Sequence, residues 1–254
     1  MVRAMSERPT VLSLDLGETV YWDTREILAA QTASRVGVLV AGIHRPSGAP
    51  FTFEEVAGAR ERVLSRWGQK GLLASSLPNA DLLREVLAEL GAEPDGVLED
   101  LAERYSSAGL REHPPQLNPE ARVLTQSVAE LGIPVIVTSN TSRSGRTWKA
   151  FLTEVWGLPI REAVTSCDLS ARKPDPRLFL EGAHRLNVEP SRVLHIGDRW
   201  DRDVVGAEGA GMQAALYRGL WGRYWNPEEG PPVLPPSGTL VPCLDHLTDA
   251  SLLF

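Results

Sequence analysis

Three apolar stretches of this chain end in polar groups that could act together. Val11-Leu12-Ser13-Leu14 runs into Asp15, Val135-Ile136-Val137 into Thr138-Ser139-Asn140, and Val193-Leu194-His195-Ile196 into Gly197-Asp198, with Asp203 five residues further on. Lys173 precedes Pro174 in a connection expected on the same edge of the sheet. In an open α/β sheet, ligands bind in the crevice beyond the carboxyl ends of the strands, so an acid placed there faces a site rather than the core. Strand-end Asp and Ser are also common turn residues. It is the set, not any one member, that points to chemistry.

That chemistry is phosphoryl transfer. Asp15 and Asp198 are expected close together, and two carboxylates beside a phosphate dianion repel it unless a cation intervenes. A hard divalent ion held by oxygens, Mg²⁺, bridges carboxylates and phosphate. Lys173 supplies a further point charge, and the Ser139 hydroxyl with nearby backbone N–H groups binds a phosphate oxygen. Aspartate is ionised at neutral pH, so Asp15 needs no helper base to act as nucleophile through an aspartyl-phosphate.

The elements that must position these groups fall into two kinds. From Thr24 to Ile43 the apolar residues follow helical spacing, and Thr52 with Glu55 forms a capping box for a second helix through Trp67. A connector from Gly68 to Pro78 leads to a helix closed by Gly91, and a fourth helix lies around Val97 to Tyr105. No strand is expected between Tyr21 and Leu117, which reads as a helical unit of its own. After it, strands and helices alternate. Asn118-Pro119 starts a helix closed by Gly132, and helices are expected around Arg146–Val155, Pro176–Leu186 and Asp201–Ala210. Strands are expected at Val135–Val137, Ala163–Thr165, Val193–Ile196, Gln213–Tyr217 and Leu240–Val241, with a terminal helix near Leu244 to Leu253. Trp221 to Ser237, rich in Pro and Gly, reads as a surface loop. Helices between strands mean crossovers and a parallel sheet, which Val11–Leu14 joins from before the helical unit. The fold class is α/β: a Rossmann-like parallel core from residues 1–20 and 118–254, with a mostly helical cap, residues 21–117, inserted in it.

The motifs Asp15-Leu16-Gly17-Glu18-Thr19, Val137-Thr138-Ser139-Asn140, Arg172-Lys173-Pro174-Asp175-Pro176 and Ile196-Gly197-Asp198 through Asp203 to Gly206-Ala207 resemble the four ordered motifs of the haloacid dehalogenase superfamily. The resemblance spans the chain, with the spacing of members that carry a helical cap after the first motif. It implies that Asp15 is nucleophile and metal ligand, that Gly17 offers its backbone carbonyl to the metal, that Asp198 is a second ligand, and that Asp203 supports the metal shell. It also implies that Ser139, Asn140 and Lys173 bind a small phosphorylated substrate. One position departs from the pattern: phosphatases of the superfamily usually carry a second Asp two residues after the nucleophile as general acid and base, and here that residue is Gly17. General acid–base catalysis is worth about 10²- to 10⁴-fold, so its loss is costly unless another group replaces it. Glu18 is adjacent, with a side chain expected to leave the turn in another direction. Two alternatives stay open: a metal-independent 2-haloacid dehalogenase, which also lacks the second Asp, and a degenerate member that binds a phosphorylated ligand without turnover.

Other polar residues have structural explanations. His195 lies inside an apolar strand, where a packed and hydrogen-bonded imidazole is the common case. His44 and His113 read as loop residues at the ends of the helical unit. Arg143 and Arg146, at a helix start, fit an anion contact or a surface position equally. Arg199, Trp200 and Asp201 shape the loop after Asp198, with Trp200 equally suited to packing, and helix-start chemistry accounts for Asp23 and Asp175.

Composition narrows the class. The chain has 254 residues, 43% hydrophobic and 23% charged, enough for one large domain or two modest ones, without the signature of disorder. Lys and Arg number 26 against 33 acids, a net charge of -7, with no basic cluster to track nucleic acid. Cys167 and Cys243 lack any Cys-x-x-Cys spacing and read as reduced thiols. No signal-peptide core and no run of about 18 apolar residues is present, which fits a cytoplasmic enzyme or binding protein without membrane contact.

Overall fold

The computed structural model describes residues 8–73, 77–220, 233–237 and 240–254. In chain order the elements are β1 (Val11–Leu14), β2 (Tyr21–Trp22), α1 (Arg25–Gly42), β3 (Ile43–His44), α2 (Phe53–Gln69), α3 (Asn79–Leu90), β4 (Glu93–Pro94), α4 (Leu98–Ser107) and β5 (Gln116–Leu117). They continue with α5 (Pro119–Glu130), β6 (Val135–Ser139), α6 (Gly145–Ala150), β7 (Ile160–Thr165), α7 (Ser166–Leu169), α8 (Pro176–Arg185), β8 (Val193–Gly197), α9 (Val205–Gly209), β9 (Gln213–Tyr217) and β10 (Cys243–Leu244). The fold is α/β and Rossmann-like. Six strands form one sheet in the order β10-β9-β8-β1-β6-β7, with every pairing parallel.

β1 is central, and all four of its residues are buried. That is why it reads as an apolar run rather than an alternating one: helices cover both faces of a parallel sheet. Leu12, Leu14, Val135, Val137, Leu194 and Ile196 pack on one face with Leu124 and Trp148. Val11, Ile136 and Val193 pack on the other with Phe179 and Ala207.

The helices α1 to α4 have their own core, which includes Val36, Leu39, Val63, Trp67, Leu83 and Tyr105. The capping box at Thr52 is formed, and Gly91 ends α3 at φ +59°, a left-handed conformation that glycine adopts without a Cβ penalty. Contrary to the sequence expectation, residues 21–117 also contain strand pairing. β2 pairs antiparallel with β5 where the chain leaves and re-enters the core, and β3 pairs with β4. Two-residue ladders carry no periodicity, so sequence pattern does not report them. The ordering of the C-terminal end also differs: the last strand is Cys243–Leu244, not Leu240–Val241, and Leu247–Leu253 form a 3₁₀ rather than an α-helix. The helices expected at Arg146–Val155 and Asp201–Ala210 include π-helical turns at Phe151–Val155 and Trp200–Val204. Of the loop expected at Trp221–Ser237, residues 221–232 lie outside the described residues.

The loop after β6 is where the helical unit meets the sheet. Arg35 Nη1 donates to Ser142 Oγ at 3.0 Å, and Asn79 Nδ2 donates to the Ser142 carbonyl at 2.9 Å. Arg143 is buried, so the surface position weighed from sequence does not hold, and its guanidinium is bonded within the protein, donating to the Ser106 and Ala108 carbonyls and to Gln31 Oε1. Those carbonyls lie at and just past the C-terminal end of α4, where a cation is favoured by the helix dipole. No helix among the described residues is long and apolar enough to cross a membrane.

Candidate active site

Parallel register brings the strand ends together. Leu14 pairs with Val137 on β6 and with Ile196 on β8, and Asp15 N donates to the Ile196 carbonyl at 2.9 Å. Asp15 therefore emerges level with Thr138 and Gly197, between Ser139 on one side and Asp198 on the other. Asp15, Ser139, Lys173, Asp198 and Asp203 are all buried.

Lys173 is the hub of the polar contacts. Its Nζ donates to Asp15 Oδ1 at 2.6 Å and also to Asp203 Oδ1. Burial alone would pull the ammonium below the usual lysine range, but the charges of Asp15 and Asp203 reverse this and raise it. Burial likewise works against the Asp203 carboxylate, yet Lys173 and the His195 hydrogen bond hold its pKa well below the usual carboxylate range. Asp203 Oδ2 accepts from Arg199 N at 2.9 Å.

Behind Asp203 the polar contacts continue into the sheet. His195 Nε2 stands 3.2 Å from Asp203 Oδ1, and His195 Nδ1 stands 2.9 Å from Ser13 Oγ, which in turn is 3.1 Å from Thr138 Oγ1. Burial lowers the imidazole's pKa. A neutral ring has one donor and one acceptor, so Nε2–H donates to the carboxylate and Nδ1 accepts from the Ser13 hydroxyl. The packed, hydrogen-bonded histidine read from sequence is what the structure contains, and its partner is a site residue.

Asn140 is placed differently from a simple substrate ligand. Its Oδ1 accepts from Lys173 N at 2.8 Å and its Nδ2 donates to the Lys173 carbonyl at 3.2 Å. Both ends of the amide thus pin the main chain that carries the site lysine.

One oxygen from each of Asp15, Asp198 and Asp203 lies within 4.8 Å of the others. Three carboxylates against one ammonium leave a net negative charge in a buried space, which a hard divalent cation with oxygen ligands such as Mg²⁺ offsets. The Gly17 carbonyl accepts no hydrogen bond among the described residues, so it too is available to a cation. The donor set fits Mg²⁺, with Asp203 offering the least because three donors already occupy its oxygens.

The turn after Asp15 is tight. The Leu16 carbonyl accepts from Thr19, Val20 and Tyr21 N–H, and Glu18 adopts φ +58°. A non-glycine residue there stores strain of order 1 kcal/mol, a cost met most often at functional sites. A Cβ built on Gly17 meets no atom within 4 Å.

Sequence reading missed Asp23. Thr24, not Asp23, caps α1, through a bond from Ile27 N. Asp23 Oδ1 is instead buried without a hydrogen-bond partner. Burial pushes its carboxyl up to about 6, with Arg143 pulling the other way. Its sequence context, an Asp just before a helix, has a sufficient structural explanation and gives no hint of this.

The chain is similar to known proteins. Residues 10–211 match the family model described as haloacid dehalogenase-like hydrolase. The chain is 26% identical over 252 residues to the haloacid dehalogenase-like hydrolase domain-containing protein 3 of Bos taurus, covering 91% of this chain and 94% of that protein. It is 42% identical over 57 residues to the glyceraldehyde 3-phosphate phosphatase of Methanopyrus kandleri, a match confined to 22% of this chain and 24% of that protein. The 2-haloacid dehalogenase structure from Pseudomonas syringae pv. Tomato DC3000 superimposes with a TM-score of 0.61 at 22% identity, covering 96% of this chain and 97% of that one, a likeness of fold.

Proposed function

Since the chain belongs to the haloacid dehalogenase-like hydrolase family, we propose that it is a Mg²⁺-dependent phosphatase that hydrolyses a small phosphomonoester through Asp15. The observation that carries this reading is the buried cluster of Asp15, Asp198 and Asp203 around Lys173. Three clustered carboxylates beside a phosphate need a divalent ion to offset their charge, and oxygen ligands of this kind suit one. The glyceraldehyde 3-phosphate phosphatase match is in line with a phosphorylated substrate.

In this reading Asp15, the Gly17 carbonyl, Asp198 and Asp203 hold Mg²⁺, which offsets charge on the phosphoryl oxygens. Lys173 fixes the rotation of the Asp15 carboxylate and adds a positive charge beside the phosphoryl group. Ser139 binds a phosphoryl oxygen, and Asn140 keeps Lys173 in place through its main chain. Asp15 forms a bond to phosphorus as the leaving oxygen departs; water then attacks phosphorus, and the bond to Asp15 breaks to release inorganic phosphate. The α1–α4 unit is the cap: docked through Arg35, Asn79 and Arg143, it excludes bulk water and selects the substrate.

The test is a panel of phosphomonoesters, with p-nitrophenyl phosphate as reporter, run with Mg²⁺ and with EDTA. Mg²⁺-dependent phosphate release that Asp15→Asn abolishes is expected. Retained activity in Asp15→Asn overturns the nucleophile assignment. Halide release from a 2-haloacid without metal assigns the dehalogenase chemistry instead, and phosphate-analogue binding without turnover assigns a binding protein.

A further inference from the structure

Ser13, Thr138 and His195 are polar residues on a face of the sheet that is otherwise apolar, and all of them are fully buried. Ser13 and His195 are register partners on β1 and β8, and Ser13 is also paired with Ile136, so Thr138, two residues further along β6, projects from the same face. The helix α8 seals them. Phe179 meets the imidazole edge-on, with ring centroids 4.9 Å apart and planes at 90°, and a Cβ on Gly182 would lie 2.7 Å from Ile136 Cδ1 and 3.6 Å from Thr138 Oγ1. Polar groups in such a place cost stability unless each is hydrogen-bonded. Here each is, and the chain of bonds ends on Asp203.

We propose that His195 is a positioning residue: oriented by the Ser13 and Thr138 hydroxyls, its Nε2–H fixes Asp203 Oδ1 and so sets where the Lys173 ammonium stands beside Asp15. The inference rests on the phosphatase reading and adds to it a residue buried beneath the site.

The direction of the chain follows from its end. A carboxylate only accepts, so the ring nitrogen 3.2 Å from Asp203 Oδ1 carries hydrogen. In the neutral ring that burial favours, the other nitrogen then accepts from Ser13 Oγ, 2.9 Å away. A hydroxyl hydrogen rotates to suit its neighbours, so Ser13 gives its own to Nδ1 and receives one from Thr138 across 3.1 Å. The opposite tautomer would turn a lone pair on Nε2 toward the carboxylate.

What this N–H does follows from the other partners of Asp203. Oδ2 accepts from Arg199 N at 2.9 Å, and Oδ1 accepts from both His195 Nε2 and Lys173 Nζ. An oxygen of a carboxylate has two lone-pair sites, so with His195 on one of them Lys173 is confined to the other. From there Nζ also reaches Asp15 Oδ1 at 2.6 Å. Without the imidazole N–H, the ammonium is free to shift toward the vacated lone pair, and its contact with the nucleophile is no longer fixed. A displacement of about 1 Å in a catalytic group costs about 10²-fold in rate.

Two amide variants of the full chain separate the two ring nitrogens. Asn places an N–H near the Nδ1 position, toward Ser13, and Gln places one near the Nε2 position, toward Asp203. With p-nitrophenyl phosphate in Mg²⁺, His195→Asn is expected to lose about 10²-fold in kcat with KM little changed, and His195→Gln to lose less than about 10-fold. Equal losses in the two, a loss confined to KM, or no loss in either overturns the role, because a residue that only packs the sheet has no reason to favour the longer amide. Nitrogen NMR of the histidine rings in the wild type gives a second readout that depends neither on turnover nor on either variant folding. A His195 ring protonated at Nε2 and bare at Nδ1 is expected; a ring protonated at Nδ1 overturns the inference while leaving the phosphatase reading intact. A wild type that turns over no phosphomonoester removes that reading, and the inference with it.

Discussion

Gly197 and Asp203 are packed so closely that a methyl group on Gly197 would overlap the Asp203 carboxyl. Glycine at the end of β8 is therefore set by what lies opposite it, since Gly197 is not among the left-handed glycines. Asp203 holds Lys173 through Oδ1 and the Arg199 N–H through Oδ2, so a carboxyl pushed aside takes the lysine with it. Gly197→Ala is expected to cost about 1–3 kcal/mol by overpacking. Turnover should fall by about 10²-fold or more, because displacing a catalytic group by about 1 Å has that effect. Urea denaturation and kcat on a reporter phosphate measure the two; an unchanged kcat would show that Lys173 does not depend on Asp203 for its placement.

Lys173 is nearly inaccessible, as are both carboxylates it bridges. Removing one member of a buried ion pair leaves the other uncompensated, so Lys173→Met should destabilise the protein by about 3–5 kcal/mol. Adding Asp203→Asn should recover part of that loss, because it removes one of the stranded charges. The sign with pH follows from the shifts. Asp203, with its pKa lowered in the fold, contributes stability above the ordinary carboxylate range and loses it as pH falls through its folded value. Lys173, raised by its partners, contributes below the ordinary lysine range and loses it only above. The penalty should therefore be flat between about pH 5 and 9, and a penalty that changes steeply there would mean the ammonium is not charged in the fold.

The parts of the site legible in the sequence are those that strand ends dictate. Asp15, Ser139 and Asp198 follow apolar runs because a parallel strand buried on both faces has no polar positions until it leaves the sheet. What sequence does not carry is the direction of side chains in irregular backbone. Asp203 reaches Lys173 through a π-helical turn at Trp200–Val204, and nothing in a five-residue offset from Asp198 says that its carboxyl turns toward the lysine instead of solvent. Asn140 pairs with the main chain of Lys173, 33 residues away in sequence, a contact fixed by the tertiary fold alone. Asp23 was hidden by a sufficient local explanation, since Asp before a helix reads as a cap until Thr24 is seen to do that work. The same holds for β2 and β5, whose two-residue pairing is set by chain crossing between core and helical unit.

Gly17→Asp is a gain-of-function test. The new side chain meets no atom within 4 Å at its Cβ, and the backbone there is not left-handed, so the substitution brings no steric or conformational penalty of its own. Turnover of phosphomonoesters with poor leaving groups should rise, by up to about 10²-fold, more than that of p-nitrophenyl phosphate, because only the former need a proton donor. A uniform rise across leaving groups, or none in a folded variant, would show that proton transfer does not limit the wild type.

Asp23 leaves a mark on stability. Burial raises its folded pKa from 3.8 to about 6 against the pull of Arg143. The folded state then binds the proton more tightly than the unfolded chain, so stability from this group is greatest below about pH 4 and is lost as pH rises through about 6. A shift of about two units is worth up to about 3 kcal/mol. Asp23→Asn, which cannot ionise, should gain on the wild type by about 1–3 kcal/mol between pH 4 and pH 7.5, read from urea midpoints at each pH. The opposite outcome, a wild type that gains on the variant as pH rises, would place Asp23 in an ion pair with Arg143.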